Sequence, residues 1–296
     1  MTPGAGLIVI MGPTASGKSA MALELARRYG GEIVSADSMQ LYRDLPVGTA
    51  QPTPAERAEI PHHLVGILDL SERADVYTFV ELADRAVAAI RSRGKVPVVA
   101  GGTGLYLRAL LYGLDPLPGD EALKRDLDRA YDDPAQLPRL RARLTEVGDG
   151  AVLEKFGNNR RRLIRALEIR LLTGKSILEL QSGRNAQLRY PLLLARRLEW
   201  PREMLKARIA ARTRAMLDAG WIEEARQAIA KGLFHTPTAH QALGYRQIDQ
   251  YLHGETTREE LIEKIAVATW QFARRQQTWF RRQHPEAEPC DMTRPN

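Results

Sequence analysis

Apolar runs of strand length alternate with amphipathic helical patterns over the first 112 residues of the chain. The predicted strands are Leu7–Met11, Glu32–Ser35, Leu64–Leu68 and Val96–Ala100. Helical patterns lie between them at Ala20–Tyr29 and Thr78–Arg93, and another follows the fourth strand. Strands that alternate with helices predict an α/β fold, in which a parallel sheet is covered by helices on its faces.

The pattern changes after a stretch rich in proline and glycine, Leu114–Asp120. Residues 121–187 show only helical periodicity, and Pro191–Ala195 then predicts a buried strand that returns to the sheet. Further on, Thr257 is placed to cap a long helix that runs to about Arg282. We therefore expect a discontinuous α/β core, residues 1–117 and 191–296, interrupted by an all-helical insertion domain at 118–190.

Charge is unevenly distributed between these segments. The net charge is +7, of which residues 1–117 contribute −1 and residues 118–190 and 191–296 contribute +4 each. The basic residues of the last two segments are mostly arginine, which pairs with phosphate in a bidentate manner and stacks on bases. This charge pattern is typical of a protein whose substrate is a nucleic acid. A solvated surface that uses arginine in place of lysine explains the charge alone equally well.

Cysteine content and hydropathy restrict the class of protein. Cys290 is the single cysteine, so neither a disulfide framework nor a cysteine-rich zinc site is expected within the chain. No apolar run approaches the ~20 residues that span a bilayer, and the N-terminus lacks the basic region of a signal peptide. We expect a cytoplasmic monomer with no membrane partner.

The residues between the first strand and the first helix match the phosphate-binding motif G-x-x-x-x-G-K-[ST]. They are Gly12, Pro13, Thr14, Ala15, Ser16, Gly17, Lys18 and Ser19. The glycines let the backbone wrap around phosphate, and the helix N-terminus adds its dipole. Lys18 supplies a mobile positive charge, and the Ser19 hydroxyl can ligate Mg²⁺. The motif predicts a polyphosphate site without identifying the polyphosphate.

Polar residues follow two other strands at the same predicted edge of the sheet. Asp37 follows the second strand, and Gly101-Gly102-Thr103-Gly104 follows the fourth. At this edge Asp37 can support Mg²⁺ or accept a proton, although an Asx turn is the structural alternative. Thr103 can donate to a phosphate or a base. The fourth strand does not end in an acid, which argues against a motor or a switch GTPase.

Arginines form two clusters, one of arginines alone and one in which arginines are interleaved with an aromatic residue. Arg160-Arg161-Arg162 and Arg165 crowd one predicted helix, and Arg274-Arg275 precede Trp279 and Arg281-Arg282 on another. Both clusters can engage a phosphate backbone and splayed bases, or can be solvated helical faces with Trp279 in the core. His62-His63 have no further ligands at metal-binding spacing, so a packing or loop role is favoured over a metal.

A set of motifs in one order resembles the tRNA dimethylallyltransferases, bacterial type. The motifs are Gly12–Ser19, Asp37–Gln40 with Tyr42, Gly48–Ala50, Pro61–His63, Gly101–Tyr106, Arg161–Glu168, Gly244–Gln247 and Arg275–Arg281. The resemblance covers roughly residues 7–283. It implies a P-loop kinase-like core. It also implies transfer of a dimethylallyl group from its diphosphate to N6 of the adenosine at tRNA position 37, next to the anticodon.

The resemblance also implies roles for particular residues. Asp37 would be the base, with Lys18 and Thr103 as further catalytic residues, residues 12–19 would hold the diphosphate, and Mg²⁺ on Ser19 would be the cofactor. The residues implied in binding the tRNA anticodon stem-loop are Asp37, Ser38, Met39, Gln40, Thr103, Lys124, Arg161, Arg162, Arg165, Gly244, Tyr245, Arg246, Arg274, Arg275, Gln276, Trp279 and Arg281. The chain departs from the family at Gln51, where lysine is usual, and it has no zinc-binding extension.

Two other classes of function compete with this interpretation. A P-loop kinase of a small metabolite or nucleoside would use the same phosphate motif and have no use for a basic insertion. A non-catalytic nucleic-acid-binding protein with a relic P-loop is the third class, and the intact Lys18, Ser19 and Asp37 argue against it. Incubation with labelled ATP distinguishes the two enzymes, because only the kinase would transfer the labelled phosphate to its substrate.

Overall fold

The computed structural model describes residues 6–114, 117–181 and 187–293. The chain divides into two compact units, one formed by Met1–Tyr112 with Leu188–Asn296 and the other by Gly113–Gln187. The first unit contains the sheet, and the second is helical throughout its described part.

Six parallel strands form the sheet of the first unit. They are β1 (Leu7–Met11), β2 (Gly31–Ser35), β3 (His62–His63), β4 (Val96–Gly101), β5 (Leu192–Glu199) and β6 (Glu288–Asp291), in the spatial order β3-β2-β4-β1-β5-β6. Strand β1 lies in the interior of the sheet and is fully buried along its length. The predicted parallel sheet with its helical cover is confirmed.

Helices follow the strands along the chain. They are α1 (Lys18–Tyr29), α2 (Pro54–Glu59), α3 (Val76–Ser92), α4 (Gly104–Tyr112), α5 (Glu121–Tyr131), α6 (Leu137–Glu146), α7 (Ala151–Phe156), α8 (Arg160–Thr173), α9 (Ile177–Leu180), α10 (Arg202–Asp218), α11 (Trp221–Ala230), α12 (Tyr245–Leu252) and α13 (Arg258–Gln283). Thr257 caps α13 as predicted. Its hydroxyl accepts a hydrogen bond from Glu260 N at 3.2 Å, and its own N–H donates to the Glu260 carboxylate at 2.8 Å.

The prediction of a strand at Leu64–Leu68 is wrong. The segment that pairs with β2 is the two-residue strand β3, His62–His63, immediately before it. Leu64 has φ of 62°, and a residue in the left-handed region cannot continue an extended strand. The Glu32 carboxylate lies 2.7 Å from Nε2 of His63, and this hydrogen bond fixes the position of the ring.

The strand predicted at Pro191–Ala195 is present but longer, because β5 runs on to Glu199. Strand β6 was not predicted. It is a short, largely exposed edge strand that contains Pro289, so it carries neither a buried apolar run nor a clear alternation.

The second unit packs around its own apolar core. Fully buried leucines of α6 and α8, including Leu140, Leu144, Leu163 and Leu167, form this core. Glu168 is a buried carboxylate in the same helix as Leu167, and Arg165 pairs with it at 2.7 Å. In neither unit does a helix of the described residues have the length and apolar character that a membrane span requires.

Candidate active site

The phosphate-binding motif forms a tight loop between β1 and α1. Gly17 has φ of 95° and Ala15 has φ of 63°, so the chain turns twice through the left-handed region within this loop. Helix α1 begins at Lys18. The first N–H groups of a helix have no intrahelical acceptor, so the loop and the helix end together present donors to an anion.

Lys18 is the first residue of α1, and its side chain reaches back to the loop. Its Nζ donates a hydrogen bond to the Pro13 carbonyl at 2.7 Å. Burial and the nearby charge of Arg212 lower the pKa of Lys18 to about 7, while the negative charge of Asp37 acts in the opposite direction. Lys18 can therefore change its protonation near neutral pH, and an incoming anion would favour its charged form.

The strand ends after β2 and β4 meet as predicted. Thr103 Oγ1 accepts a hydrogen bond from Ser38 N at 3.0 Å and donates to Ser38 Oγ at 3.3 Å. Asp37 accepts from Met39 N at 3.0 Å, which forms an Asx turn and uses Oδ1. A Cβ built on Gly101 would lie 2.1 Å from the Ala36 carbonyl oxygen, so this close approach requires glycine. Asp37 and Thr103 thus share one edge with Lys18.

Gln276 contacts the phosphate loop. Its side-chain Oε1 accepts a hydrogen bond from Thr14 N at 2.8 Å, and its Nε2 donates to the Gly102 carbonyl at 2.8 Å. It is 7% exposed. This residue therefore joins the phosphate loop to the loop after β4, and its assignment to tRNA binding stays a prediction.

Arg212 of α10 is a site residue that the sequence did not reveal. Its guanidinium donates to Thr14 Oγ1 at 3.0 Å, and its charge acts on Lys18. Burial lowers the pKa of Arg212, and Asp37 partly offsets this effect. One signal could have indicated that Arg212 lies near the interior. It directly precedes Thr213, which continues the series of buried residues Leu205 and Ile209 on one face of the helix.

Hydrogen bonds occupy the side chains of Gln40 and Gln51. Gln40 Oε1 accepts from Ser35 Oγ at 2.7 Å, and its Nε2 donates to the Ala50 carbonyl at 2.9 Å. Gln51 Nε2 donates to the carbonyls of Gln40 and Tyr42 at 3.1 and 2.7 Å. Both side chains hold the segment between β2 and α2 in place. Base recognition by Ser38, Met39 and Gln40 stays a prediction.

Tyr245 is fully buried, so its assignment to direct tRNA contact is corrected. Its hydroxyl donates to the Glu224 carboxylate at 2.6 Å, and the same carboxylate accepts from Gly48 N at 2.8 Å. Gly244 is also buried, and a Cβ there would lie 2.3 Å from the ring of Trp221. This motif holds a loop, whereas the exposed Arg246 remains available to a ligand.

The basic residues near the end of α13 are exposed, and one of them, Arg281, also forms an ion pair. Arg274 and Arg275 are exposed. Arg281 donates to Glu199 at 3.1 Å. Trp279 packs against Gly104, where a Cβ would lie 2.1 Å from Cδ1 of the indole ring, and it lies beside the core. Trp279 therefore has a packing role on one side, and stacking of this half-buried ring on a base stays a prediction.

The candidate tRNA residues of the second unit differ in their exposure and in their partners. Arg161 and Arg162 are exposed on the first turn of α8, and the charge of the half-buried Lys124 acts on Asp128. Arg165 instead pairs with buried Glu168 and donates to the Leu117 carbonyl at 3.2 Å. Arg165 thus stabilises its own unit, and its assignment to tRNA contact stays a prediction.

The oxygen atoms beside the phosphate loop are suited to Mg²⁺. Ser19 is exposed on the first turn of α1, and the Asp37 carboxylate lies at the same sheet edge. Among residues 6–114, 117–181 and 187–293, no group of three His, Cys, Asp or Glu side chains could hold a metal ion by itself. This donor set fits Mg²⁺, which is commonly bound by one or two protein oxygens together with phosphate and water.

The sheet topology and the loop at Gly12–Ser19 define a P-loop protein of the α/β class. A family model described as IPP transferase matches residues 40–283, and one described as isopentenyl transferase matches residues 5–62. The chain belongs to the IPP transferase family.

Relatives and solved structures agree with this family. A tRNA dimethylallyltransferase of Anaeromyxobacter dehalogenans is 46% identical over 281 residues, covering 94% of this chain and 90% of the relative. One of Halorhodospira halophila is 44% identical, covering 94% and 91%. The solved tRNA isopentenylpyrophosphate transferase of Bacillus halodurans is 35% identical with a TM-score of 0.70, covering 97% of this chain and 90% of that one. A eukaryotic dimethylallyltransferase acting on tRNA is 28% identical with a TM-score of 0.79, covering 97% and 73%.

Proposed function

We propose that this protein transfers a dimethylallyl group from dimethylallyl diphosphate to N6 of the adenosine at tRNA position 37, and releases diphosphate. The observation that carries the proposal is the convergence of Lys18, Asp37 and Arg212 beside one phosphate loop, where each acts on the charge of another. Two cations and a carboxylate at one place suit a reaction that releases an anion and a proton.

The phosphate loop would hold the diphosphate of the donor. As the bond between carbon and oxygen breaks, negative charge grows on the leaving oxygen, and donors fixed around it stabilise that charge. Lys18 and Arg212 both donate hydrogen bonds to residues of the loop, so their charges would act on the diphosphate as it departs. Mg²⁺ bound through Ser19 would neutralise further charge on the diphosphate.

Asp37 would accept the proton that N6 must lose. The amine of adenine is a poor nucleophile because its lone pair is delocalised into the ring, and it becomes acidic as the new bond forms. A carboxylate within hydrogen-bonding reach accepts that proton late in the step. The Asx turn with Met39 N uses Oδ1 and fixes the orientation of the carboxylate.

The anticodon stem-loop would be held by exposed basic residues. The target base must leave its stack to reach Asp37. The candidates are Arg161 and Arg162 in the second unit and Arg246, Arg274 and Arg275 in the first. A cytoplasmic monomer completes the proposal. Sedimentation of the protein with and without an anticodon stem-loop would test its oligomeric state.

Nucleoside mass analysis tests the proposal. tRNA is incubated with dimethylallyl diphosphate, Mg²⁺ and the protein, and is then digested to nucleosides. The expected product is one adenosine per tRNA that carries a single C5 unit, and Lys18→Ala should form it far more slowly. A parallel incubation with labelled ATP tests the rival function, a kinase of a small metabolite or nucleoside. Phosphate transfer without a C5 adduct would favour that rival.

A further inference from the structure

Two side chains outside the phosphate-binding motif hold the carbonyl groups of the phosphate loop. Arg208 Nε donates to the Ala15 carbonyl at 2.9 Å, and Trp200 Nε1 donates to the Ser16 carbonyl at 2.9 Å. The Arg208 guanidinium also lies over the Trp200 ring, 4.3 Å from its centroid. The two residues therefore form one stacked unit, here called the brace, against the outer side of the loop.

The brace acts on the backbone groups that would bind an anion. In a trans peptide the carbonyl and the following N–H point in opposite directions. When Arg208 holds the carbonyl of Ala15, it therefore also fixes the direction of the Ser16 N–H, which donates within the loop to the Pro13 carbonyl at 3.3 Å and so supports the turn of the loop. Trp200 fixes the N–H of Gly17 in the same way. Donors that are already oriented lose less conformational freedom when the anion binds.

The loop needs such support because part of its backbone is strained. Ala15 has φ of 63°, a conformation that residues with a Cβ rarely adopt and that persists only when the surroundings impose it. Arg208 bonds to the carbonyl of this same residue. The brace therefore acts at the point where the loop would otherwise relax.

The brace has a fixed base of its own. Trp200 follows β5 directly, and it packs with Ala15 and with buried Leu205 and Ile209 of α10 in one apolar cluster. Arg208 precedes Ile209 on the same helix. Both side chains are thus anchored in the first unit by residues of β5 and α10 that lie outside the phosphate-binding motif.

We propose that Trp200 and Arg208 are positioning residues that orient the N–H groups of the phosphate loop and thereby set the affinity for the diphosphate end of the donor. The choice of diphosphate as ligand rests on the proposed function. Neither residue needs to touch the reacting atoms for this role.

The test uses conservative variants with matched controls. Trp200→Phe keeps an aromatic ring beside Arg208 and removes the N–H, and Arg208→Lys keeps the charge and removes the planar donor. Tyr29→Phe and Arg28→Lys are the controls, because Arg28 lies over the Tyr29 ring at 5.7 Å in another cation–π pair, at the end of α1 away from the phosphate loop. Calorimetry with inorganic diphosphate and Mg²⁺ gives Kd, and steady-state transfer assays give KM and kcat for the donor.

Loss of one hydrogen bond to a loop carbonyl should weaken diphosphate binding and raise KM for the donor roughly 5-fold to 30-fold in each brace variant. The Kd for tRNA, kcat at saturating donor and both controls should stay near the parent values. Parental diphosphate binding in both brace variants overturns the inference, and so does an equal loss in the controls. A parent protein that binds no diphosphate overturns the proposed function, and with it the inference.

Discussion

Gln276 Oε1 accepts a hydrogen bond from Thr14 N at 2.8 Å, across 262 residues of sequence. Its Nε2 donates to the Gly102 carbonyl at the same distance. One buried amide therefore holds the phosphate loop and the loop that carries Thr103 at a fixed separation. Helix α13, which presents exposed Arg274 and Arg275, is in this way tied to the diphosphate site.

Gln276→Glu should weaken donor binding and leave tRNA binding intact. The variant keeps an acceptor for Thr14 N, removes the donor to Gly102 and adds negative charge beside a site for diphosphate. We expect KM for dimethylallyl diphosphate to rise about 10-fold or more, since a buried acceptor is left unsatisfied. Steady-state kinetics and tRNA titrations check this, with Gln271→Glu on the exposed side of α13 as the control. A loss of tRNA affinity alone would instead support the tRNA-binding role of Gln276.

Asp37→Asn should slow the chemical step. The amide keeps the size of the carboxylate and an acceptor for Met39 N, but it cannot take the N6 proton. We expect single-turnover rates to fall by roughly 10²–10⁴, with little change in tRNA affinity. If Asp37 mainly supports Mg²⁺, high Mg²⁺ will instead restore part of the rate, and diphosphate binding will weaken. A parental rate would rule out both roles.

Diphosphate binding should take up a proton above neutral pH. The pKa of Lys18 is about 7 in the free protein, because burial and Arg212 disfavour its charge. A bound diphosphate favours the charged form and raises this pKa. Below pH 7 the ammonium is already present, whereas above pH 7 each unit of pH should weaken binding by up to about 10-fold.

Calorimetry at about pH 8, in two buffers of different ionisation enthalpy, measures this uptake directly. Lys18→Met is the control, and it should remove the part of the proton uptake that belongs to Lys18. Equal uptake in the parent and in Lys18→Met would show that Lys18 does not titrate on binding.

Substitution of the exposed arginines of α8 should affect tRNA binding, whereas substitution of Arg165, which is paired with Glu168, should affect stability. Arg161→Ala and Arg162→Ala should each lower the log–log salt slope of tRNA binding by about 0.7–0.9, because each loses one phosphate contact. Arg165→Ala should change this slope little and destabilise its unit by about 1–3 kcal/mol, since Glu168 is left buried without its partner. Filter binding across salt concentrations and urea unfolding separate the two effects. A reversed pattern would instead support contact of Arg165 with tRNA.

Glu32 should make stability depend on pH in the acid range. Burial acts to raise the pKa of Glu32, but hydrogen bonds from Arg93 and His63 outweigh it and hold this pKa below the usual 4.5. A lowered pKa in the folded state stabilises the protein above about pH 4.5 and ceases to do so as pH falls through the folded value. Urea unfolding from about pH 6 downward should show a steeper loss in the parent than in Glu32→Gln. Parallel curves would contradict this.

The local sequence pattern was sufficient to predict the central strand together with the loop and the helix that follow it. The apolar run at Leu7–Met11, the glycines of the loop after it and the helix beyond are all encoded within about 25 consecutive residues, so their order predicts a P-loop. The edge of the sheet was less predictable. Leu64 belongs to an apolar run, yet its φ of 62° ends the strand. A backbone angle imposed by surrounding contacts leaves no mark in hydropathy.

The supporting contacts of the site could not be predicted in the same way. Arg212 and Gln276 reach Thr14 from 198 and 262 residues away. Arg212 lies in none of the motifs, and the motif Arg275–Arg281 that contains Gln276 does not indicate a contact with Thr14. Tyr245 sits in a recognisable motif, but its burial against Glu224 depends on how α11 and α12 pack. Motifs indicated which residues matter, and the three-dimensional structure separates those that face a ligand from those that hold a loop.

In the proposed reaction the phosphate loop holds the diphosphate of an allylic donor while Asp37 receives a proton from a tRNA base. A single-turnover reaction of the protein, dimethylallyl diphosphate, Mg²⁺ and an anticodon stem-loop examines both parts at once. Released diphosphate and modified adenosine are quantified in the same samples. We expect one diphosphate per C5 unit at N6 of position 37, with both rates reduced together in Lys18→Ala and Asp37→Asn. Diphosphate release without modified adenosine, or modification that is unaffected in both variants, would contradict it.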